Sequence, residues 1–362
     1  MEGVRSMKYG LTAIFAGIFL SGCASTFLKV ENPDVLRPDK EFERAVVIEV
    51  PEAEPGTEEA LIATAPPAAE EKPAAPAKTV KGAKKTVPAK AAAEKTPAKA
   101  SKKAVAPARR EPDLEDDKGF QGRRPLKDPF WIGETVVHDV SYFKVSAGSL
   151  TMRVDPFAQV NGKKAYNLVT HIKTYDTFSK LVYGVDDKVV ALLDFEQLIP
   201  RVFTMTVKES NQAREVRSFF DFEKNEANFW EKKITKKNGV EEKKMKWEIL
   251  PYSQNVFSAA FYMRLFAWED GKEYAFRVAD DGENLVFKGK TLRREVLNTD
   301  LGPIKAVVVK PEIILKGNFK PIGDILIWLS DDDRKHILRI ESKIKIGTLV
   351  SEIVELKPGK AP

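Results

Sequence analysis

The stretch KHILRIESKIKI, Lys335–Ile346, alternates. Its even positions carry His336, Leu338, Ile340, Ser342, Ile344 and Ile346, and its odd positions are mostly charged: Arg339, Glu341, Lys343 and Lys345. A period of two with one apolar and one charged face is the pattern of a half-buried β-strand. Similar segments are Glu134–Tyr142, Leu150–Phe157, Tyr166–Lys173, Val202–Lys208, Arg214–Phe222, Lys272–Val278, Thr291–Asn298, Ile304–Val309 and Asp324–Leu329. Turn residues separate several of them: Asn161-Gly162, Asn238-Gly239, Leu301-Gly302-Pro303 and Ser330-Asp331-Asp332-Asp333. Short strands at this spacing predict a mainly β domain, an antiparallel sheet that is strongly curved or closed like a barrel.

Two stretches break the alternation. In SQNVFSAAFYMRLFAW, Ser253–Trp268, the residues Val256, Phe257, Ala260, Phe261 and Leu265 fall on one helical stripe. Ser253 can cap the start and Gly271 lies past the end. The expectation is one apolar helix covering or plugging the concave face of the sheet, with Val256, Phe257, Phe261 and Leu265 lining a ligand site. Asp176–Val182 reads as a shorter helical turn.

Upstream the composition changes. From Pro51 to Glu71 the ionised side chains are all glutamates, and from Lys72 to Arg110 there are 12 Lys/Arg against one Glu, a local excess of +11. The net charge of +6 therefore comes from one basic segment and not from the whole chain. Residues 51–117 are rich in Ala, Pro, Lys and Glu and have no aromatics, a composition that cannot bury enough apolar surface to order itself. AVVIEV, Ala45–Val50, is long enough for a short strand but too isolated to require one. The domain reading is a signal peptide over 1–22, a linker over 23–117 and a β-rich domain over 118–357. A flexible linker of that length has an r.m.s. reach of about 50–60 Å, which would let the domain stand away from an anchoring membrane. The basic half suits an anionic envelope polymer or a solvated spacer role. Nucleic acid is not expected, because no aromatic side chain interleaves with the lysines for base stacking.

The N-terminus carries an address. Arg5 and Lys8 precede the apolar run Tyr9–Leu20, which is too short for a comfortable transmembrane span and fits a secretory signal. Met7-Lys8 is a second possible start. Leu20-Ser21-Gly22-Cys23 follows and holds the only cysteine in the chain, which excludes an internal disulfide and a cysteine-rich metal site. This tetrapeptide resembles the lipobox of bacterial lipoproteins. The resemblance implies cleavage before Cys23, diacylglycerol on its sulfur and a further acyl chain such as palmitate on its amino group. Ala24 at the next position implies, for a Gram-negative host, sorting to the outer membrane facing the periplasm.

GETVVHDVSYFKVSAGSLTMRV (Gly133–Val154), VFSAAFYMRLFAW (Val256–Trp268) and ILIWLSDDDRKHILRIESKIKIGTLVSEI (Ile325–Ile353) together resemble a family of exported bacterial proteins known as domain of unknown function 3108. The resemblance implies export and the β fold, and assigns no activity.

Catalytic motifs are missing. There is no G-x-S-x-G, H-E-x-x-H, P-loop or G-x-G-x-x-G pattern. Asp331–Asp333 lacks the spaced ligands of a calcium loop and reads as a hairpin turn. His138 shares a strand face with Val136 and Val140 and reads as a satisfied or cavity-lining histidine. Arg264, inside the apolar helix, either pairs with a buried carboxylate or emerges at the edge. Asp186-Asp187 and Asp280-Asp281 read as loop or turn residues. No cofactor or metal is expected. The functional expectation is a lipid-anchored, non-enzymatic envelope protein holding an amphiphilic ligand or a protein partner in a groove under the helix. A tether between membrane and cell wall and a polysaccharide hydrolase are the alternatives.

Overall fold

The computed structural model describes residues 27, 28, 30, 36, 40–51, 124–315, 318–320, 324–343 and 347–361. The signal segment, Cys23 and residues 52–123 lie outside the described residues.

A short helix α1 (Lys40–Ala45) and a two-residue strand β1 (Ile48–Glu49) precede the main body. The β2 (Thr135–Tyr142), β3 (Val145–Val160) and β4 (Lys163–Thr174) strands come next, then helix α2 (Asp176–Leu181). The strands β5 (Asp186–Asp194), β6 (Pro200–Lys208), β7 (Gln212–Asp221), β8 (Glu226–Thr235) and β9 (Gly239–Glu248) lead to helix α3 (Val256–Tyr262). The last strands are β10 (Glu273–Asp280), β11 (Glu283–Thr299), β12 (Gly302–Leu315), β13 (Asn318–Lys320), β14 (Asp324–Ser330), β15 (Ile337–Lys343) and β16 (Thr348–Lys357).

All belong to one antiparallel sheet in the order β10-β11-β12-β14-β15-β16-β2-β3-β4-β5-β6-β7-β8-β9, with β1 beside β3 and β13 beside β12. The last strand pairs with β2, Ile353 opposite His138, so the C-terminal strand lies mid-sheet. The ladder does not close. Gln254, in the segment after β9, pairs with the edge strand β10: its N–H donates to the Arg277 carbonyl and its carbonyl accepts from the Ala279 N–H, both at 2.8 Å. Lys243 Nζ also reaches Asp281 at 2.5 Å.

The apolar helix is shorter than expected. Asn255, not Ser253, caps α3: its side-chain oxygen accepts from the Phe257 and Ser258 N–H groups, and Ser258 Oγ accepts from the Asn255 N–H. Met263–Leu265 tightens into a 3-10 turn. Trp268 ends the segment with φ at +50°, its indole N–H donating to the Met263 carbonyl at 2.8 Å. The indole lies so close over Gly289 that a Cβ there would stand 2.4 Å from it.

The single stripe also divides. Phe261 and Leu265 are buried in the main core with Tyr166, Phe276 and Leu329. Phe257 turns to a second cluster, stacking on Phe203 at 5.5 Å between ring centres beside Val216 and Phe220. Val256 is only half-buried. The helix thus fills the space between two clusters.

Strands the alternation missed have identifiable causes. β5 is DDKVVALLD, apolar at successive positions, because both its faces are covered: Ala191 and Leu193 face the main core, while Val190 and Leu192 join an outer cluster under Val46. Asp186-Asp187 therefore begins a strand and is not a turn; Asp280 likewise ends β10, with Asp281 in the turn after it. β9 is an edge rich in Lys and Glu, a composition that discourages pairing with another chain. β8 and β16 also lay outside the expected set. Residues 27–51, assigned to the linker by composition, include side chains packed on the sheet: β1 pairs with β3, and Val46 is buried.

Because Phe261 is 3% exposed in a filled core, Phe261→Ala is expected to lower the stability of the domain by about 3–5 kcal/mol, read as a shift in denaturation midpoint. A change below about 1 kcal/mol would mean that the site is not packed.

Candidate functional site

Three places gather polar side chains. The first surrounds Glu134. Its two carboxylate oxygens accept from Arg264 Nη1 at 2.7 Å and Nη2 at 3.0 Å, and Arg334 Nη2 also donates to it. Glu134 and Arg264 are 1% and 4% exposed. Arg264 further donates to the carbonyls of Pro129 (2.9 Å) and Arg334 (3.1 Å), and Arg334 stacks 3.7 Å over the Trp131 ring. Burial alone would raise the Glu134 carboxyl, but Arg264 and His336 outweigh it and hold it at about 2. Of the two readings of Arg264, the buried pair is the observed one. Every strong donor here is turned inward, so this cluster holds structure together. The Asp331–Asp333 run serves the same region as a turn: Asp332 Oδ1 accepts from the Arg334 and Lys335 N–H groups at 2.9 Å and from Ser330 Oγ at 2.8 Å.

The second is His138, fully buried on β2. Nε2 lies 2.9 Å from the Ile337 carbonyl and Nδ1 3.0 Å from Ser351 Oγ. The tautomer that satisfies both carries its proton on Nε2 and accepts from the serine hydroxyl. Burial pushes its pKa down to about 4, so it is neutral at physiological pH. It clips β2 to β15 and β16.

The third lies on the outer face of β5, β6 and β7. A groove of about 510 Å³ is lined by Phe27, Leu28, Val30 and Leu36 from the N-terminal segment and, from the sheet, by Asp186, Thr206, Val207, Lys208, Ala213, Glu215 and Arg217. The Leu28 N–H donates to the Glu209 carbonyl at 3.0 Å, and Phe27 packs against Gly184. Apolar walls meet charged rims: Asp186 pairs with His171 at 2.6 Å, and Glu215 with Arg217 at 3.1 Å. The His171 hydrogen bond lowers the pKa of Asp186, whereas burial raises that of Glu215. Beside the groove Asp187 and Glu209 hydrogen-bond each other, and the Tyr183 hydroxyl and Gln212 amide donate to Glu209 at 2.7 and 2.5 Å. Burial first, and then the charge of Glu209, push the Asp187 carboxyl up to about 8.

The sequence placed none of these groove residues, because the groove forms only when residues 27–36 lie on strands more than a hundred positions away. The expected lining set is dispersed: Phe261, Leu265 and His138 are core, and Phe257 belongs to the second cluster. Among the described residues no cluster of three or more His, Cys, Asp or Glu side chains could hold a metal ion.

Comparison with known proteins gives a family and little chemistry. The family model described as "Protein of unknown function (DUF3108)" matches residues 137–354. No curated protein matches the chain. A β-barrel-like protein of domain of unknown function DUF1849 from Brucella abortus is similar at 10% identity and a TM-score of 0.40, covering 63% of this chain and 98% of its own. A candidate exported protein with a YmcC-like fold from Bacteroides fragilis is similar at 12% identity and a TM-score of 0.29, covering 64% and 98%. A candidate lipoprotein from Parabacteroides distasonis is similar at 12% identity and 0.27, covering 65% and 100%. These low scores add nothing to the fold, which stands on the sheet itself.

The acid pair sets a pH dependence. A carboxyl raised in the folded state stabilises below its unfolded pKa, and that stability is lost as pH rises through the folded value. The window here runs from about 4 to about 8. Asp187→Asn, which keeps the neutral form, should gain thermal stability over the wild type progressively across that window. Parallel melting curves from pH 4 to 9 test this, and a pH-independent offset would show that the two acids do not share a proton.

Proposed function

The chain belongs to the DUF3108 family of proteins of unknown function, and from that premise we propose a lipid-anchored, non-enzymatic cell-envelope protein whose outer groove holds an amphiphilic ligand or an amphiphilic segment of a partner. The observation that carries this reading is the groove's lining. Phe27, Leu28, Val30 and Leu36 supply an apolar wall, and Lys208, Arg217, Asp186 and Glu215 supply charged edges within one space of about 510 Å³. Concave sites with apolar walls and a few polar groups suit ligands with both characters. The interior under the helix is filled by Phe261, Tyr262 and Trp268, so the ligand site moves from the concave to the outer face of the sheet.

The anchor rests on Leu20-Ser21-Gly22-Cys23 after an apolar run. Two or three acyl chains on Cys23 give stable attachment, where one would be reversible. Ala24 supports the outer membrane, with the domain in the periplasm, in a Gram-negative host. The 12 Lys/Arg between Lys72 and Arg110 support a second role for the same protein, engagement of an anionic envelope polymer.

Two measurements test the reading. Cys23→Ser is expected to move the protein from the membrane to the soluble fraction or to leave the signal uncleaved; unchanged processing and membrane retention would remove the anchor. Thr206→Trp fills the groove and is expected to weaken binding of a fluorescent fatty acid by about tenfold, equivalent to about 1.4 kcal/mol. Equal affinity in both proteins, or no binding by the wild type, would remove the groove as a ligand site.

A further inference from the structure

We propose that one end of the sheet, formed by the β2–β3 turn, the β4–α2–β5 connection and the β15–β16 turn, rests on the lipid bilayer that holds the anchor. The inference builds on lipid attachment at Cys23.

The first observation is where the N-terminal segment meets the domain. Phe27 packs against Gly184, between α2 and β5, and Leu28 bonds to Glu209 in the β6–β7 turn. Cys23 is four residues before Phe27. Four residues span at most about 14 Å when fully extended. Acyl chains on Cys23 therefore bring this end of the sheet to the membrane surface. Residues 52–123 leave from Pro51 and return at Arg124, after the docked segment, and so do not set that distance. The reach of 50–60 Å expected from composition does not apply between anchor and domain.

The second observation is what this end displays. Phe143 and Lys144 form a two-residue turn with φ of +50° and +63°. Such a turn favours Asn and Gly, and an aromatic residue in left-handed backbone is strained. Phe143 is nevertheless 61% exposed, next to Val145 at 60%. Leu181, at the end of α2, is 76% exposed, and Tyr175 precedes the same helix. The elements adjoin: the Tyr175 N–H donates to the Ala147 carbonyl at 3.0 Å, and Phe143 lies against Gly347, which leaves room for its ring. Lys144 and Lys180 are exposed beside these side chains. Most carboxylates at this end are engaged within the protein, Asp139 by the Tyr175 and Ser146 hydroxyls, Asp186 by His171 and Glu209 by Tyr183; Asp176, at the start of α2, is exposed. At the other end of neighbouring strands, the Asn161-Gly162 and Asp331–Asp333 turns carry no large apolar residue and Phe222 in the β7–β8 turn is half-buried, while Val47 and Leu126 are exposed there; what distinguishes the two ends is the distance to Cys23. Apolar tips ringed by lysine suit insertion at the boundary of an anionic bilayer.

The test uses the full acylated chain in vesicles of phosphatidylethanolamine and phosphatidylglycerol. An environment-sensitive fluorophore is attached at Lys144→Cys or, at the opposite end, at Lys224→Cys, and quenched by headgroup spin-labelled lipid. The expected result is several-fold stronger quenching at 144 than at 224. Adding Phe143→Ser and Leu181→Ser should reduce that difference while the protein still floats with the vesicles. Equal quenching at both positions in a chain whose mass shows acylation overturns the resting end and leaves the anchor standing. A chain without acyl mass overturns the anchor itself; the same comparison on vesicle-mixed protein then decides the end separately, equal quenching overturning it there too.

Discussion

The Glu134 carboxylate is buried, and its charge is tolerable because Arg264 meets it with two parallel hydrogen bonds, with Arg334 and His336 beside it. Removing water from such an ion costs several kcal/mol, and only well-aligned partners offset it. That requirement fixes geometry far beyond the pair. One guanidinium binds the start of β2, the loop at Pro129 and the turn before β15. Helix α3 must therefore sit at one depth inside the sheet, with Phe261 and Leu265 placed in the main core and Phe257 in the neighbouring one. His138 repeats the arrangement without charge, joining β2 to both β15 and β16 where the last strand enters mid-sheet.

An antiparallel sheet of this size exposes two faces and two edges, and each is covered differently. The concave face is filled by the helix. Much of the outer face over β3, β5 and β6 is sealed by Val46. The edges β9 and β10 meet through the Lys243–Asp281 pair and not through a continuous ladder. Between the sealed patch and the turn at Glu209 the covering is incomplete, and the groove is the space left between the N-terminal segment and β5 to β7.

How much of this was legible follows from what each residue contacts. Strands with one covered face, such as β2, β7 and β15, announce themselves by alternation, because water and core select opposite chemistry at successive positions. β5 is covered on both sides and shows only an apolar run; β9 is an edge and shows mostly charge. The helix was visible as a stripe, but a stripe does not say that Phe257 and Phe261 enter different clusters. Arg264 was the informative anomaly, since an arginine among apolar helical residues needs a buried partner; nothing in the sequence pointed to Glu134 as that partner. The groove was out of reach. Val46, Leu28 and Phe27 sit upstream of a low-complexity stretch, and composition alone assigned them to it.

The docked segment and the sheet are consecutive in the chain yet separated by 72 intervening positions, 52–123. Cleavage anywhere among those positions would turn one polypeptide into a two-piece complex. The N-terminal piece would hold the β domain through the contacts of Phe27, Leu28, Val46 and β1, without the high effective concentration that covalent linkage supplies. Release of the domain from the N-terminal piece would then be a dissociation reaction, its rate governed by the lifetime of those few contacts and by whatever occupies the groove that Phe27 and Leu28 help to line.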